Sequence, residues 1–309
     1  MSLLVVGSIG YDTIITPVGS GKDLLGGSAA YCSLAASNFT NVSLVSVVGD
    51  DFEQQHMDLF HRRSINISGL EIDRTNTTFR WSCRYFDEDI NLRETLATEL
   101  NVLATFKPIL TPEHDKIESV FLGNMTPAIQ NETLNQLSSK PKIIGLDTMN
   151  FWIESCKDQL TDVINKVDIV FMNEEEILLY SRNTDLIESA RSILELGPWA
   201  IFAKRGELGS ILITRNSVFA APAFPVKTVT DPTGAGDCFA GGVMGYLSSK
   251  ASLSLNCLKK ASIFGSIMGS FAVETLGIEG IEKAARNQIS SRISQLLPDT
   301  SLRYESMNF

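Results

Sequence analysis

The sequence lacks any uninterrupted run of 18 apolar residues, the length that a membrane-spanning helix needs. Residues 1–10 contain no lysine or arginine, and the apolar run at residues 3–6 is too short for a secretory signal. We therefore predict neither a transmembrane helix nor a signal peptide, and we expect the protein to reside in the cytoplasm.

Cysteine and histidine are scarce and widely spaced. The five cysteines include no C-x-x-C pair, and none of the three histidines lies near a cysteine in the sequence. An odd number of scattered cysteines is typical of reduced thiols rather than of a disulfide framework. The pattern also argues against structural zinc and against a cysteine–histidine nucleophile pair.

Basic residues are outnumbered by acidic ones. The 26 lysines and arginines and the 36 aspartates and glutamates give a formal net charge of −10. This balance argues against nucleic acid or an anionic membrane as the main partner. A ligand that carries phosphate must therefore be held by local groups, against the field of the whole molecule.

Several widespread motifs are also absent. The P-loop pattern fails because Thr16 and Asp23 occupy the positions that require glycine and a hydroxyl residue. The segment GSIG at 7–10 lacks the spacing of a dinucleotide-binding loop, and HRR at 61–63 lacks the aspartate of a protein-kinase catalytic loop. The sequence therefore does not indicate these classes of enzyme.

Short apolar runs alternate with longer helical patterns along most of the chain. We predict strands at 3–6, 42–48, 120–122, 143–146, 169–172, 200–203 and 211–214. We predict helices at 29–38, 51–63, 174–181, 185–196 and 235–248. This alternation indicates an α/β fold with a parallel sheet covered on both faces. The 309 residues allow about two domains on size alone, but no linker divides the chain, so we predict one domain over residues 1–309.

Residues 77–86 break this rhythm because their side chains alternate in a strict period of two. Trp81 lies on one face of the extended segment and Arg80 on the other, and neither face is plainly polar. A polar turn follows, and residues 92–102 can form a returning strand. The pattern predicts a small appended sheet, which is either a lid over a site or a hairpin packed against the main domain.

The most informative segment is DPTGAGDCFAGG at 231–242. Gly234, Ala235 and Gly236 stand where a predicted helix begins, and free N–H groups at a helix N-terminus favour an anion such as phosphate. Asp237 follows in the first turn, where its carboxylate suits the task of accepting a proton from an attacking hydroxyl. The alternative is a glycine-rich helix cap in which Asp237 only stabilises the helix dipole.

This segment resembles the second signature of the ribokinase-like (PfkB) family of small-molecule kinases, and further landmarks follow in the family's order. The resemblance implies a ribokinase-like three-layer α/β/α fold, with a doubly wound, mostly parallel sheet and a small β lid from about residues 13–25 and 75–105. It also implies an ATP- and Mg²⁺-dependent phosphotransferase with an alcohol acceptor. In such an enzyme Asp237 is the base, and the amides of Gly234, Ala235 and Gly236 stabilise the transferring phosphoryl group.

On the metal side, the segment NEEE at 173–176 resembles the family's N-x-x-E motif, which supports Mg²⁺ and phosphate largely through water. The resemblance therefore implicates Asn173 and Glu176. The alternative is a helix start capped by Asn173 with acids in its first turn. Some family members also use a monovalent cation such as K⁺ near the loop at Asp231.

On the nucleotide side, the segment KRGELG at 204–209 resembles the turn that holds ribose and phosphate, which implicates Lys204, Gly206 and Gly209. The segment SFAVETLG at 270–277 resembles the stretch beside the adenine pocket and begins with Ser270. An ordinary hairpin turn and core helix packing are the respective alternatives.

On the acceptor side, Asp12 resembles the family's substrate-binding aspartate, and Gly26-Gly27 resembles the Gly-Gly of the first signature. A carboxylate at a strand end can accept hydrogen bonds from two adjacent sugar hydroxyls. The family commonly has asparagine at the position of Tyr31. Tyr31 can cover or stack on a larger substrate, or it can simply pack.

Three further polar residues follow predicted strands: Asn124, Asp147 and Asn150. They would line the carboxyl edge of the sheet, where open α/β folds bind ligands, and turn capping is the alternative. We also expect Arg80 or Trp81 to close over the acceptor.

We predict a kinase for a ribose-bearing small molecule, with a nucleoside such as adenosine preferred because of Tyr31, the aromatic strand and the 270–277 stretch. The alternative acceptor is a free sugar such as ribose or fructose. A non-catalytic nucleotide or sugar sensor is a third interpretation, against which the intact Gly-Ala-Gly-Asp argues. A homodimer through the lid is compatible with catalysis.

Overall fold

A computed structural model of the protein describes residues 2–88, 90 and 92–296. In that part of the chain the strands are β1 (Ser2–Val6), β2 (Gly10–Thr16), β3 (Gly19–Gly26), β4 (Asn41–Gly49), β5 (Ile65–Asp73), β6 (Phe79–Tyr85), β7 (Arg93–Glu99), β8 (Ser119–Leu122), β9 (Ile143–Asp147), β10 (Ile169–Asn173), β11 (Ala200–Lys204), β12 (Ser210–Ile213) and β13 (Val218–Ala221). The helices are α1 (Ser28–Ala36), α2 (Gln54–Arg62), α3 (Pro127–Asn135), α4 (Asn150–Ser155), α5 (Lys157–Ile164), α6 (Glu174–Ser181), α7 (Leu186–Leu194), α8 (Ala235–Ser248), α9 (Leu255–Ala272), α10 (Glu279–Lys283) and α11 (Arg286–Leu296).

The main sheet has nine strands in the order β13-β12-β11-β10-β9-β8-β1-β4-β5. Every neighbouring pair from β5 to β11 is parallel, whereas β12 and β13 join one edge as antiparallel strands. From β1 the chain runs outward to β4 and β5 on one side and to β8–β11 on the other. A doubly wound sheet of this kind binds ligands at the carboxyl ends of its strands near such a switch point.

Helices cover both faces of this sheet because its central strands are apolar and buried on both sides. Leu3, Phe121 and Phe202 belong to the cluster that packs against α1, α8 and α9. Leu4 and Ile201 belong to the opposite cluster, which includes residues of α5, α6 and α7. The two clusters confirm the predicted three-layer α/β/α fold, and each fully buried large apolar side chain contributes about 1.5–3 kcal/mol to it.

A second, four-stranded sheet has the order β3-β2-β6-β7. β2 runs parallel to β6, while β2–β3 and β6–β7 are antiparallel hairpins. Its own small cluster contains Ile14, Cys83 and Tyr85. The alternating segment at 77–86 is thus a strand, as predicted, and β7 is its returning partner. The role of this sheet as a lid stays a prediction.

The principal differences from the predicted elements lie in this second sheet and at the edges of the main sheet. The sequence pattern does not predict β2, β3 and β5, which lack continuous apolar runs, or the four-residue strand β13. The predicted helix at 51–63 begins only at Gln54. Among the described residues no helix combines the length and the apolar character needed to cross a membrane.

Candidate active site

The helix α8 begins directly after a tight turn at the carboxyl edge of the main sheet. Gly234 has φ +73°, and a Cβ at this position would lie 2.5 Å from the Tyr31 ring, so only glycine fits. The amide of Ala235 donates to the carbonyl of Pro232, 3.2 Å away, which closes the turn. The remaining N–H groups of the first turn point along the helix axis and make this end of α8 suited to an anion.

Beside this helix end, Lys204 and Asp147 form an ion pair. The Lys204 Nζ lies 2.9 and 3.0 Å from the two carboxylate oxygens of Asp147. The same Nζ lies 3.3 Å from the place that a Cβ on Gly236 would take, so the ammonium reaches the start of α8. Burial lowers the pKa of Lys204, but the carboxylates of Asp147 and Glu176 outweigh that effect and raise it. Lys204 therefore stays positively charged.

Asp237 stands in the first turn of α8, close to this pair. Burial and the neighbouring Asp147 carboxylate raise the pKa of Asp237 to about 7, although Lys204 and Arg93 oppose the shift. A carboxylate with a pKa near neutrality can take up and release a proton at physiological pH. The raised pKa is compatible with the expected role of Asp237 as a general base, which stays a prediction.

Asn173 and Glu176 form a complete capping box at the start of α6. The Asn173 amide donates to Glu176 Oε2 and the Glu176 amide donates to Asn173 Oδ1, both at 2.7 Å. Burial raises the pKa of Glu176 to about 7. Within the part of the chain that the structure describes, no group of three or more His, Cys, Asp or Glu side chains could hold a metal ion directly. Asn173 and Glu176 fit a Mg²⁺ ion that keeps its waters and meets few carboxylates.

Asp12 lies on β2 of the second sheet, with only 2% of its surface exposed. Gly26, its neighbour on β3, has no room for a side chain: a Cβ would lie 2.9 Å from Asp12 Oδ1 and closer still to Oδ2. Burial, Asp231 and Asp237 together raise the pKa of Asp12 to about 8. Gly27, with φ +96°, then carries the chain into α1. Asp12, Gly26 and Gly27 therefore lie together, and Asp12 is within electrostatic reach of Asp237.

Tyr31 is buried in α1 with 1% of its surface exposed, and its ring packs under Gly234. Its hydroxyl is buried and has no hydrogen-bond partner among the described residues. The position that the family commonly gives to asparagine is therefore occupied by a packed ring that supports the turn before α8.

The structure places Arg80 and Trp81 on opposite faces of the second sheet. Trp81 is the register partner of Asp12, and the guanidinium of Arg93 lies 5.0 Å from its ring centre. Arg80 instead binds Asp51 Oδ2 at 3.0 Å and pairs with Asp23. Of the two residues expected to close over the acceptor, Trp81 shares the face of Asp12 and Arg80 does not.

Asn124 and Asn150 both lie at the carboxyl edge, where each makes local contacts. Asn124 Oδ1 accepts a hydrogen bond from Trp152 Nε1 at 2.9 Å. Asn150 is exposed at the start of α4, and its Oδ1 accepts from the amide of Phe151 at 2.9 Å. Asn150 thus makes the turn-capping contact that was the alternative to substrate binding, and a substrate-binding role for Asn124 or Asn150 stays a prediction.

The nucleotide-side candidates lie farther along the same edge. Gly206 begins the short turn between β11 and β12, and Gly209 ends it with φ +85°. Ser270, near the end of α9, donates to the carbonyl of Ile267 and accepts from Arg292 Nη1, both at 2.6 Å. The Ser270 hydroxyl is therefore already engaged, while a Cβ on the preceding Gly269 would lie 3.3 Å from the carbonyl oxygen of Ala235 at the start of α8, and a role of Ser270 at the nucleotide stays a prediction.

A sequence model of the pfkB family of carbohydrate kinases matches residues 2–280. The chain belongs to the pfkB family of carbohydrate kinases. This match confirms the resemblance inferred from the 231–242 segment and places the chain among the phosphotransferases.

Several kinases with described activities are similar to this chain. A cytidine kinase of Thermococcus kodakarensis is 30% identical over 252 residues, which cover 80% of this chain and 88% of that one. A nucleoside kinase of Methanothermobacter thermautotrophicus is 30% identical over 298 residues, covering 90% and 91%. The fold is similar to that of a putative ribokinase II from E. coli, solved with ATP and Mg²⁺, with a TM-score of 0.79 and 18% identity over 95% of this chain and 99% of that one.

Sequence reasoning missed two residues of this pfkB-family site. Arg93, on β7, adds a positive charge that acts on Asp12, Asp237 and Glu176. Tyr85, on β6, brings its hydroxyl to 3.1 Å from Thr233 and so joins the second sheet to the turn before α8. All residues of β7 are exposed, so no burial pattern in the sequence marks Arg93 as part of a site.

Proposed function

We propose that this pfkB-family enzyme transfers the γ-phosphoryl group of ATP to a hydroxyl of a nucleoside. The observation that carries the proposal is the position of Asp237 in the first turn of α8, where its pKa is raised to about 7 beside the Lys204 ammonium. A helix end that favours phosphate and a carboxylate poised to accept a proton are the two groups that phosphoryl transfer to an alcohol needs.

Asp237 would accept the proton of the acceptor hydroxyl as the oxygen attacks the γ-phosphorus. Because the transition state of phosphoryl transfer is loose, the proton moves late and a carboxylate suffices as base. The bond from phosphorus to the β,γ-bridging oxygen breaks, and ADP leaves with that oxygen. The proton on Asp237 is then released to solvent, which its pKa near 7 permits.

The backbone at the start of α8 would stabilise the charge that develops on the transferring group. The proposal assigns this role to the amides of Gly234, Ala235 and Gly236, with the Ala235 amide turning from its 3.2 Å contact to Pro232 when phosphate binds. Lys204 adds a fixed positive charge at the same point. Mg²⁺, when bound, would neutralise phosphate charge, and Asn173 and Glu176 would orient its waters.

Asp12 would hold the acceptor by accepting hydrogen bonds from two adjacent ribose hydroxyls. Its burial and its raised pKa show that an unpaired charge there is costly, so the hydroxyls of a ribose supply partners that the site needs. Trp81, on the same face of the second sheet, offers an aromatic surface beside that ribose. The second sheet acts as the lid in this arrangement.

The names of the relatives support a nucleoside rather than a free sugar, because the cytidine kinase and the nucleoside kinase each match four fifths or more of this chain. A free sugar such as ribose remains the second candidate, because Asp12 recognises hydroxyls that both acceptors carry. Dependence on K⁺ near Asp231 also belongs to the proposal and is tested by replacing K⁺ with Na⁺ in the assay.

The second sheet also offers a surface for a homodimer. β7 is an edge strand whose residues are all exposed, and Leu96 on it is a large exposed apolar side chain. Unpaired edge strands pair readily with another chain. Sedimentation of the wild type and of Leu96→Arg tests this part, with a dimer expected only for the wild type; a wild-type monomer at micromolar concentration contradicts it.

The experiment that tests the function is a panel assay of ADP release. Purified protein is given ATP, Mg²⁺ and in turn cytidine, adenosine, inosine, ribose and fructose, each over a range of concentrations. Turnover should be highest with one or more nucleosides. A higher kcat/KM for a free sugar selects the second candidate, and ligand binding without turnover of any acceptor overturns the assignment as a kinase.

A further inference from the structure

The loop between β4 and α2 contains a carboxylate, Asp51, that is bound by Thr78 and Arg80 at the start of β6 in the second sheet. Asp51 Oδ1 accepts two hydrogen bonds from Thr78, from its amide at 2.7 Å and from its hydroxyl at 2.6 Å. Asp51 Oδ2 accepts from Arg80 Nη2 at 3.0 Å. Arg80 also pairs with Asp23 on β3. One carboxylate of the main domain is thereby linked to β6 directly and to β3 through Arg80.

Thr78 is the point at which the β6–β7 hairpin leaves the main domain. It is fully buried, its Oγ1 accepts from the amide of Gly49 at 3.0 Å, and its carbonyl accepts from Asn101 Nδ2 at 3.0 Å. Gly49 packs so closely here that a Cβ would lie 2.5 Å from the carbonyl oxygen of Asn76. The start of β6 and the segment after β7 are therefore joined to the end of β4 at one place.

The charge on Asp51 is held in place by these contacts. Partial burial raises the pKa of Asp51, but the hydrogen bonds from Thr78 and the charge of Arg80 outweigh it and lower the pKa. The guanidinium of Arg80 also lies 5.0 Å from the centre of the Tyr11 ring, and the Tyr11 hydroxyl accepts from the amide of Glu53 at 2.9 Å. The network thus extends to β2, the strand that carries Asp12.

We propose that Asp51, through Arg80 and Thr78, is a positioning residue that sets the placement of the second sheet, and hence of Asp12, over the acceptor site. The argument rests on the proposed function, in which Asp12 on the second sheet and Asp237 on the main domain must meet one acceptor. The second sheet is tied at one end by Tyr85 and Thr233, 3.1 Å apart, and at the other by Asp51. Loosening the contacts of Asp51 changes the distance between Asp12, which would hold the acceptor hydroxyls, and Asp237, which would take the proton.

Three variants test this role. Asp51→Asn keeps an acceptor for Thr78 but removes the charge that Arg80 requires, and Arg80→Met removes the other partner. Asp73→Asn is the matched control, because Asp73 Oδ1 accepts from the amide and hydroxyl of Thr75 at 2.7 and 2.6 Å, within one exposed segment. The control changes the same kind of contact without touching the second sheet.

We expect Asp51→Asn to raise the KM of the best acceptor about threefold to tenfold, while the KM of ATP stays within about twofold, because the Asp51–Arg80 bond is charge-assisted but partly exposed. Arg80→Met should give at least as large a change, because it also removes the pair with Asp23, and the double variant should be no worse than Arg80→Met alone, since the Asp51–Arg80 link is already lost in it. Asp73→Asn should match the wild type.

Amide hydrogen exchange gives a readout that does not depend on turnover. The amides of β6 should exchange faster in Asp51→Asn than in the wild type and should be unchanged in Asp73→Asn. An unchanged acceptor KM together with unchanged exchange overturns the inference, and so does an additive double variant or an equal rise in the KM of ATP. If the wild type turns over no acceptor, the proposed function fails, and the exchange data still decide whether Asp51 holds the second sheet.

Discussion

Replacing Gly26 by alanine isolates the contact between the Gly-Gly segment and the carboxylate of Asp12, which is proposed to bind the acceptor. A Cβ at this position would lie 2.9 Å from Asp12 Oδ1 and nearer still to Oδ2, well inside an ordinary contact of roughly 3.5 Å. Asp12 must therefore move by more than about 1 Å. Since a misplacement of about 1 Å can cost roughly 100-fold in rate, we expect kcat/KM for the acceptor to fall about 100-fold.

Gly19→Ala is the matched control on the same strand. A Cβ there would lie 3.6 Å from its nearest neighbour, Leu276, so it should leave the kinetics unchanged. Steady-state assays with acceptor and ATP varied separately should show the loss in Gly26→Ala for the acceptor, with little change in the KM of ATP. Urea unfolding should show a loss of about 1–3 kcal/mol from overpacking. A Gly26→Ala enzyme within twofold of the wild type for the acceptor would refute the assignment of Asp12.

Three further predictions concern the groups around α8. Because Asp237 accepts a proton only when ionised and its pKa is raised to about 7, kcat measured at saturating acceptor should rise about tenfold per pH unit below pH 7 and level off above it; a flat profile contradicts the base. Lys204→Met should lower the free energy of unfolding by about 3–5 kcal/mol, because it leaves the buried Asp147 unpaired. In urea unfolding, Lys204→Met/Asp147→Leu should recover much of that loss. A double variant as unstable as Lys204→Met contradicts the stabilising role of the ion pair. Asn173→Ala should lower the free energy of unfolding by about 1 kcal/mol, because the helix cap with Glu176 is lost. It should also raise the Mg²⁺ concentration needed for half-maximal rate. A loss of stability with unchanged Mg²⁺ dependence leaves Asn173 only the capping role.

The sequence predicts the central strands of the main sheet because these strands are continuous apolar runs, whereas it misses the edge strands β5 and β13. The predicted strand at 169–172 is Ile169–Asn173, and the predicted helix at 235–248 has the same bounds in the structure. The second sheet was only half readable. β6 shows strict alternation, whereas β3 contains glycine, lysine and aspartate and resembles a loop in composition.

The pairing of side chains across the site could not be read from the sequence. Lys204 and Asp147 lie 57 positions apart and meet only because β9, β10 and β11 are neighbours in register. Likewise, the alternation at 77–86 showed that Arg80 and Trp81 face opposite ways, but not which face meets Asp12. That choice depends on the register between β2 and β6.

The most direct test of the central claim is the turnover of Asp237→Asn with the best acceptor from the panel. Asparagine keeps the size of the side chain at the start of α8 but cannot accept the proton. We predict that kcat falls by several orders of magnitude while ATP binding, measured by calorimetry, stays close to that of the wild type. Turnover near the wild-type rate would contradict the assignment of Asp237 as the base.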